Sequence, residues 1–485
     1  MGDRLRARDV AFLMAETPTT PMHNATVEIF DPGSSGFDHD TLVRLIGDRI
    51  AFVPRYRQRV RWVPGHLANP VWVDDAHFDL GYHVRRSALP RPGTLDQLRE
   101  LVARIVSRPL DRNRPLWEVY FVEGLEGGRV AVLSKAHQSL VDGAQIVDLA
   151  QVLLDRTPER RELGSDEWRP ERPVSSSSLV LDAVRDSVVT PLTTLDTVRG
   201  TAGSWLRGAE TASRRVSHVV NALAGRRSEQ DTPIAGTLSQ QRRFVTVRRT
   251  LADHRAVRDA HGGTVNDVIL ATVAGGLRSW LMTRAESLGG LRQVRAVVPV
   301  SVHDHDLEAT SLGTQIAAHF VDLPVGEPSP VVRLHQVSYS FKAHRETGRA
   351  VAANRIAGIA GFAPSTFHAI GSRVAAEELR RGFQISVTNV PGPQSPLFCA
   401  GARMEQTYPV PPLLPRHALA IGVTSYDGQV YYGVTADRDL VPDADVFGAC
   451  LDDALDELLD TSGDARPKVP RGRPRKGARK PGGWS

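Results

Sequence analysis

At 485 residues with 41% hydrophobic side chains, the chain is long enough to bury two or three substantial cores. Its two cysteines, Cys399 and Cys450, are too few and too far apart in sequence for a disulfide framework or a thiolate metal site, so a reducing compartment is expected. No apolar stretch reaches the length of a signal-peptide core or a membrane span, which leaves a cytoplasmic protein whose membrane contact is peripheral as the expectation. The formal net charge of +5 is unevenly placed: residues 463–485 hold eight Lys/Arg against one acid, a local +7, and the 462 residues before them sum to −2.

From about Leu5 to Asp155, strand-like and helix-like runs alternate through "ATVEIF", "DTLVRLIGDRIAFV", "PVWVDD", "TLDQLRELVARIVS", "LWEVYFVEGL" and "GRVAVLSKAH". The polar, Pro-rich "RTPERRELGSDEWRPERPVSSSS" reads as a linker. Residues 179–225 follow with helical spacing of Val180, Val184 and Val188, and of Val216, Val219, Val220 and Leu223, broken at Pro191 and Gly200. This stretch fits a crossover helix packed on the protein or an interfacial membrane helix, and packing is the simpler reading. From about Gln241 to Leu459 the alternation resumes with "RFVTVRRTL", "TVNDVILATVAGGLRSWL", "VRAVVPVSV", "AHFVDLPV", "FQISVTNVPG", "LAIGVTSYDGQVYYGVTAD" and "ADVFGACLDDALDELL". The expected organisation is an N-terminal lobe over 1–160, a linker and helical crossover over 161–235, a C-terminal lobe over 236–462 and a disordered basic tail over 463–485, each lobe mixed α/β.

Residues 129–136 alternate into a strand, and Ile146, Leu149, Ala150 and Leu153 keep one face of a helix. His137 to Gly143, "HQSLVDG", is therefore a strand-to-helix loop, a place where side chains are presented from a rigid base. A histidine there is a candidate general base, although a lone histidine is more often a surface or satisfied core residue.

"HQSLVDG" resembles the HHxxxDG motif of the chloramphenicol-acetyltransferase-like acyltransferases. "TTPMHNATVEIFDP", "PVWVDDAHFDLGYHVRR", "RPLDRNRPLWEVYFVEGL", "TVNDVILATVAGGLR", "VPVSV" and "SVTNVPGP" are similar, in this order, to segments of one branch, the bacterial wax ester synthase/diacylglycerol acyltransferase family. The resemblance runs from about Leu5 to about Asp460, and "LGTQ" at 312–315 departs from the family's LGN. It implies two chloramphenicol-acetyltransferase-like lobes around a central tunnel, and transfer of a fatty acyl group from acyl-CoA to diacylglycerol or a long-chain alcohol. It implies no metal, no bound cofactor and no covalent intermediate. A histidine takes the hydroxyl proton as the oxygen attacks the thioester, then gives it to the departing thiolate. Asp142 is implied to hold the loop through an arginine, and Gly143 to let the chain turn closely. A condensation domain of peptide synthesis shares the HHxxxDG signature; the Pro-Leu-Trp at 115–117 and the NVPGP at 389–393 argue for the first family.

The family's usual base is the second histidine, and this chain has Gln138 there. A primary amide can hydrogen-bond a hydroxyl, but it does not titrate near neutrality. Three readings follow: His137 substitutes as base, the enzyme is slow, or the chain is a catalytically silent lipid-binding relative at a membrane or lipid-droplet surface. Asn266 and Asp267 are candidates for substrate binding or for capping the helix that follows them. Trp117 is a candidate acyl contact or a core residue. In the tail, "VPRGRPRKG" contains the Arg-Gly-Arg-Pro of an AT-hook, so its cations suit an anionic membrane or lipid-droplet surface, or the minor groove of A·T-rich DNA.

Overall fold

The computed structural model describes residues 3–140, 153–159, 168–171, 175–181, 234–284, 293–302, 315–346 and 382–463. Asp142, Gly143, the basic tail beyond residue 463 and most of the expected crossover over 179–225 lie outside the described residues.

Two six-stranded mixed sheets dominate, one per lobe. In the first, the order is Phe398–Cys399, Ala402–Val410, His23–Asp31, Val130–His137, Trp117–Glu123 and Val84–Ala88; all pairs are antiparallel except the last. In the second, it is Gln315–Leu323, Val294–Val302, Ile385–Pro391, Leu419–Tyr426, Gln429–Asp437 and Arg242–Thr250, with Ile385–Pro391 parallel to both neighbours. A small three-stranded sheet joins Asp3–Arg4, Val71–Asp74 and Gln58–Arg61.

Each sheet is covered by helices whose apolar spacing is visible in the sequence. His39–Arg49 buries Leu42, Leu45 and Ile46 against the first sheet, after Asp38 caps its start by accepting from the Thr41 N–H. Leu95–Val106 begins at a Thr94/Gln97 capping box and buries Leu98, Val102, Ile105 and Val106. On the second sheet, Val265–Thr283 turns Ile269, Leu270, Val273 and Leu277 inward and packs against Ala444–Gly463.

The sheets do not follow the division of the chain by sequence. Ala402–Val410 comes from the C-terminal half yet pairs with His23–Asp31 in the first sheet. It also crosses the hairpin formed by Leu419–Tyr426 and Gln429–Asp437, and there glycine is required. A Cβ on Gly433 would stand 1.8 Å from the Pro409 carbonyl oxygen, and one on its register partner Gly422 would stand 2.7 Å from Pro409 Cβ. Tyr426 and Tyr431 of the hairpin donate to the carbonyls of Met404 and Glu405, so the crossing is hydrogen-bonded as well as packed.

Among the histidines of this framework, His23, His83 and His254 are buried and His417 is half-buried. Burial is the first cause that holds each below the ordinary 6.5, and His254, bonded to the Thr250 carbonyl and the Tyr432 hydroxyl, is pushed down to about 4. The folded protein keeps these rings neutral, whereas the unfolded chain takes up protons below about pH 6.5. Stability is therefore fully present above that pH and should fall between pH 6.5 and 4, by up to roughly 1.4 kcal/mol per pH unit per group. Urea midpoints at several pH values measure this, and His254→Asn should flatten the slope. An unchanged slope in the variant would assign the acid sensitivity to other groups.

Candidate active site

Val130–His137 ends where the first helix, Ala7–Ala15, passes over it. Glu16, the C-cap of that helix, reaches His137: its Oε2 accepts from Nε2 at 2.7 Å. On the other side of the ring, the Ser139 hydroxyl lies 2.7 Å from Nδ1 and the Ser139 backbone N–H donates to the same nitrogen at 3.1 Å. An N–H pointing at Nδ1 makes that atom an acceptor, so the network assigns the ring proton to Nε2. His137 and Ser139 are buried, and Glu16 is half-buried with its side chain turned inward. Burial alone would raise the Glu16 carboxyl; the hydrogen bond from the His137 ring, the Arg112 guanidinium 3.7 Å away and the Met22 backbone outweigh it and hold the group below its usual value.

The strand pairing places His23 directly across from His137. His23 Nε2–H donates to the Val106 carbonyl at 2.9 Å, which leaves Nδ1 a buried acceptor with no hydrogen-bond partner among the described residues. Lys135, two residues before His137 and also buried, donates to the carbonyls of Ile105 and Arg108 and lies 3.7 Å from Glu118. Burial pushes Lys135 down to about 8 against the pull of Glu118. Two side chains of the central strands thus cap the end of Leu95–Val106, where the carbonyls of a helix lack partners and favour positive charge. The helix is thereby held against the strand end that carries His137.

Gln138 opens a single 3-10 turn over Gln138–Leu140. Its backbone N–H donates to the Met22 carbonyl at 2.8 Å and its side chain is buried. Both ring nitrogens of His137 are engaged inside the protein, so a base role for His137 would require breaking the contact with Glu16 or with Ser139. Trp117 lies in the first core at 1% exposure, its indole N–H donating to the Tyr56 carbonyl and its ring stacked on His83 at 4.6 Å.

Asn266 and Asp267 have separate jobs. The cap of Val265–Thr283 is Thr264, and Asp267 completes a capping box by accepting from the Thr264 N–H, so neither candidate is itself the N-cap. Asp267 Oδ1 is buried without a hydrogen-bond partner among the described residues. Asn266 Oδ1 accepts from Asn389 Nδ2 at 2.9 Å, which joins the helix start to the strand leading into the NVPGP turn. His137 and Gln138 therefore end a strand of the first sheet, and the Asn266–Asn389 pair belongs to the second. Phe12 of the first helix packs with Val297, Phe383 and Leu414 of the second lobe, four residues before Glu16 meets His137.

Glu16, Ser139 and His23 were not singled out by sequence reasoning. Ser139 and His23 sit inside quoted segments, "HQSLVDG" and "TTPMHNATVEIFDP", whereas Glu16 carries no local signal beyond an acid at the end of an apolar helix. Among the described residues, no cluster of three or more His, Cys, Asp or Glu is arranged to hold a metal.

Residues 5–269 match the wax ester synthase/diacylglycerol acyltransferase catalytic domain, and residues 312–459 match the C-terminal domain of the same family. A probable diacylglycerol O-acyltransferase of Mycobacterium tuberculosis, tgs1, is 31% identical over 472 residues, covering 97% of this chain and 98% of its own. Another from that organism, tgs3, is 41% identical over 265 residues, 53% of this chain and 96% of its own. The solved wax ester synthase/diacylglycerol acyltransferase from Marinobacter aquaeolei superposes with a TM-score of 0.67 at 25% identity, covering 95% of this chain and all of that one. The first condensation domain of the CDA synthetase shares the fold, with a TM-score of 0.53 at 15% identity. With both family domains matched in order along the chain and a relative aligned over almost its whole length, this protein belongs to the wax ester synthase/diacylglycerol acyltransferase family.

Proposed function

We propose that this acyltransferase moves a fatty acyl group from acyl-CoA to the hydroxyl of diacylglycerol or of a long-chain alcohol, and that it does so slowly because position 138 holds an amide. The observation that carries this reading is the engagement of both His137 nitrogens beside Gln138, in a chain matched by both domains of the family. The alcohol oxygen attacks the thioester carbonyl, the C–S bond breaks, and the hydroxyl proton ends on the CoA thiol. Gln138 can accept a hydrogen bond from the hydroxyl and orient it, but the proton must leave through water, without the general base that typically contributes about 10²–10⁴ in rate. His137, held by Glu16 and Ser139, is a positioning residue that sets the turn beginning at Gln138. No metal or prosthetic group is needed for any of these steps. The second reading, a silent lipid-binding relative, is favoured by the same substitution at 138.

Membrane contact is assigned to the basic tail: eight cations over 463–485 suit an anionic lipid surface at about 1 kcal/mol per residue close to it. No helix among the described residues is long and apolar enough to cross a membrane. One experiment addresses both parts. Full-length protein and a version ending at residue 462 are given labelled long-chain acyl-CoA, with diacylglycerol or hexadecanol offered in anionic vesicles or in detergent. Slow ester formation in detergent by both, with salt-sensitive vesicle binding by the full chain alone, is expected. Acyl-CoA binding with no ester from either acceptor would make the chain a lipid-binding relative. A preference for A·T-rich duplex that disappears with the tail would assign the tail to DNA.

A further inference from the structure

A cleft of about 1010 Å³ opens where Leu95–Val106 packs beside Arg242–Thr250, the edge strand of the second sheet. Its wall carries six arginines, Arg99, Arg104, Arg108, Arg242, Arg243 and Arg438, against three carboxylates. The first 462 residues sum to −2, so this excess is a local concentration and not a sample of a basic surface.

The six differ in how far the protein satisfies them. Arg99 is held by Asp96 and by the hydroxyl and carbonyl of Thr246, Arg242 by Asp437 and the Thr19 carbonyl, and Arg438 by Gln241. Arg104 and Arg108, by contrast, are exposed and have no carboxylate partner among the described residues. Arg243 stands 3.6 Å from Asp445, and its Nε is buried with no acceptor among the described residues. Guanidinium forks with unfilled donors suit the oxygens of phosphate groups, which they can bind in pairs.

The position of the cleft selects among phosphate-bearing molecules. Arg242 also lines a second, smaller cavity together with His23 and Val106, and His23 faces His137 across the strand pair. The inner end of the cleft thus adjoins the strand end at His137, next to the turn that Gln138 opens. We infer that the cleft receives the phosphate-bearing nucleotide end of acyl-CoA, with Arg104, Arg108 and Arg243 as the phosphate ligands, and that the thioester arm passes Arg242 toward Gln138. The inference rests on acyl-CoA being the acyl donor. It adds that the chain tells a CoA thioester from one lacking the nucleotide by these three side chains.

Calorimetric titration of the full-length protein with CoA, 3′-dephospho-CoA, adenosine 3′,5′-bisphosphate and pantetheine tests this without requiring turnover. CoA and the bisphosphate should bind, and pantetheine should bind at least tenfold more weakly than CoA. The double variant Arg104→Gln/Arg108→Gln lies on the surface, places no negative charge at the end of Leu95–Val106 and should shift the urea midpoint little. It should lose about tenfold or more of its CoA affinity, and the preference for CoA over pantetheine should collapse with it. Arg243→Gln should do the same to a smaller extent. Equal weakening of CoA and pantetheine, unchanged CoA affinity in the double variant, or failure of the wild type to bind CoA would each overturn the inference. So would loss of binding to anionic vesicles with CoA affinity intact, which would make the cleft a lipid-headgroup site. Arginine-dependent CoA binding in a protein that forms no ester would sustain the inference while defeating the transfer reading.

Discussion

Replacing Gln138 by histidine should raise turnover by about 10²–10⁴, since it restores a group able to take the hydroxyl proton near neutral pH and pass it to the leaving thiolate. Position 138 is set by the backbone bond from its N–H to the Met22 carbonyl and by the anchored ring of His137 before it, so the new imidazole starts from a constrained backbone. The gain should appear in kcat, with KM for acyl-CoA little changed, because the exchange touches the reacting centre and leaves the donor's binding contacts alone. Steady-state kinetics with labelled acyl-CoA measure both. His137→Ala, introduced with Gln138 and with histidine at 138, then separates two roles. A positioning residue lowers both activities and loosens the turn, while a working base abolishes only the wild-type activity. A Gln138→His variant no faster than wild type would show that the missing base is not what limits this protein.

The second large effect is on stability. Arg49→Ala should cost about 3–5 kcal/mol, the range found when one partner of a buried ion pair is removed. Arg49 and Asp155 are 1% and 3% exposed and 2.7 Å apart, and Arg49 also donates to the Leu153 carbonyl. Asp155 in turn exchanges both backbone hydrogen bonds with Phe398. One pair therefore ties the helix His39–Arg49, the chain emerging at residue 153 and the edge of the first sheet. Deleting the guanidinium leaves a carboxylate in the interior without its nearest cation, which is why the loss should exceed that of a surface pair several-fold. Replacing both, as Arg49→Met with Asp155→Leu, should recover much of the loss. Urea unfolding monitored by circular dichroism gives the number, and a loss under about 1 kcal/mol would mean that water reaches the pair after all.

The alternation of apolar residues was enough to place most strands and helices. "GRVAVLSKAH" is Val130–His137, "TLDQLRELVARIVS" is Leu95–Val106, and "LAIGVTSYDGQVYYGVTAD" is a hairpin turning at Asp427 and Gly428. The position of His137 at a strand end and the motifs that point to the family were legible for the same reason. They depend on neighbours within a few residues, where period and motif carry the information.

What lay beyond the sequence depends on contacts between distant parts of the chain. Nothing local marks "ARMEQTYPV" as a strand of the first sheet: its register with His23–Asp31 is fixed by pairing across nearly the whole chain, and its path over the hairpin by the absence of side chains at Gly422 and Gly433. Glu16 reads as an ordinary acid after a helix until the fold brings it to His137, 121 residues away. Asn266 and Asn389 look like a cap and a turn residue until a helix start and a parallel strand meet. The arginines of the cleft are scattered from Arg99 to Arg438, and no local run of the sequence marks them as a group. Secondary structure was written in local periodicity, and the chemistry of the site was decided by tertiary packing, because a buried charge or lone pair takes its meaning from the partner that the fold sets beside it.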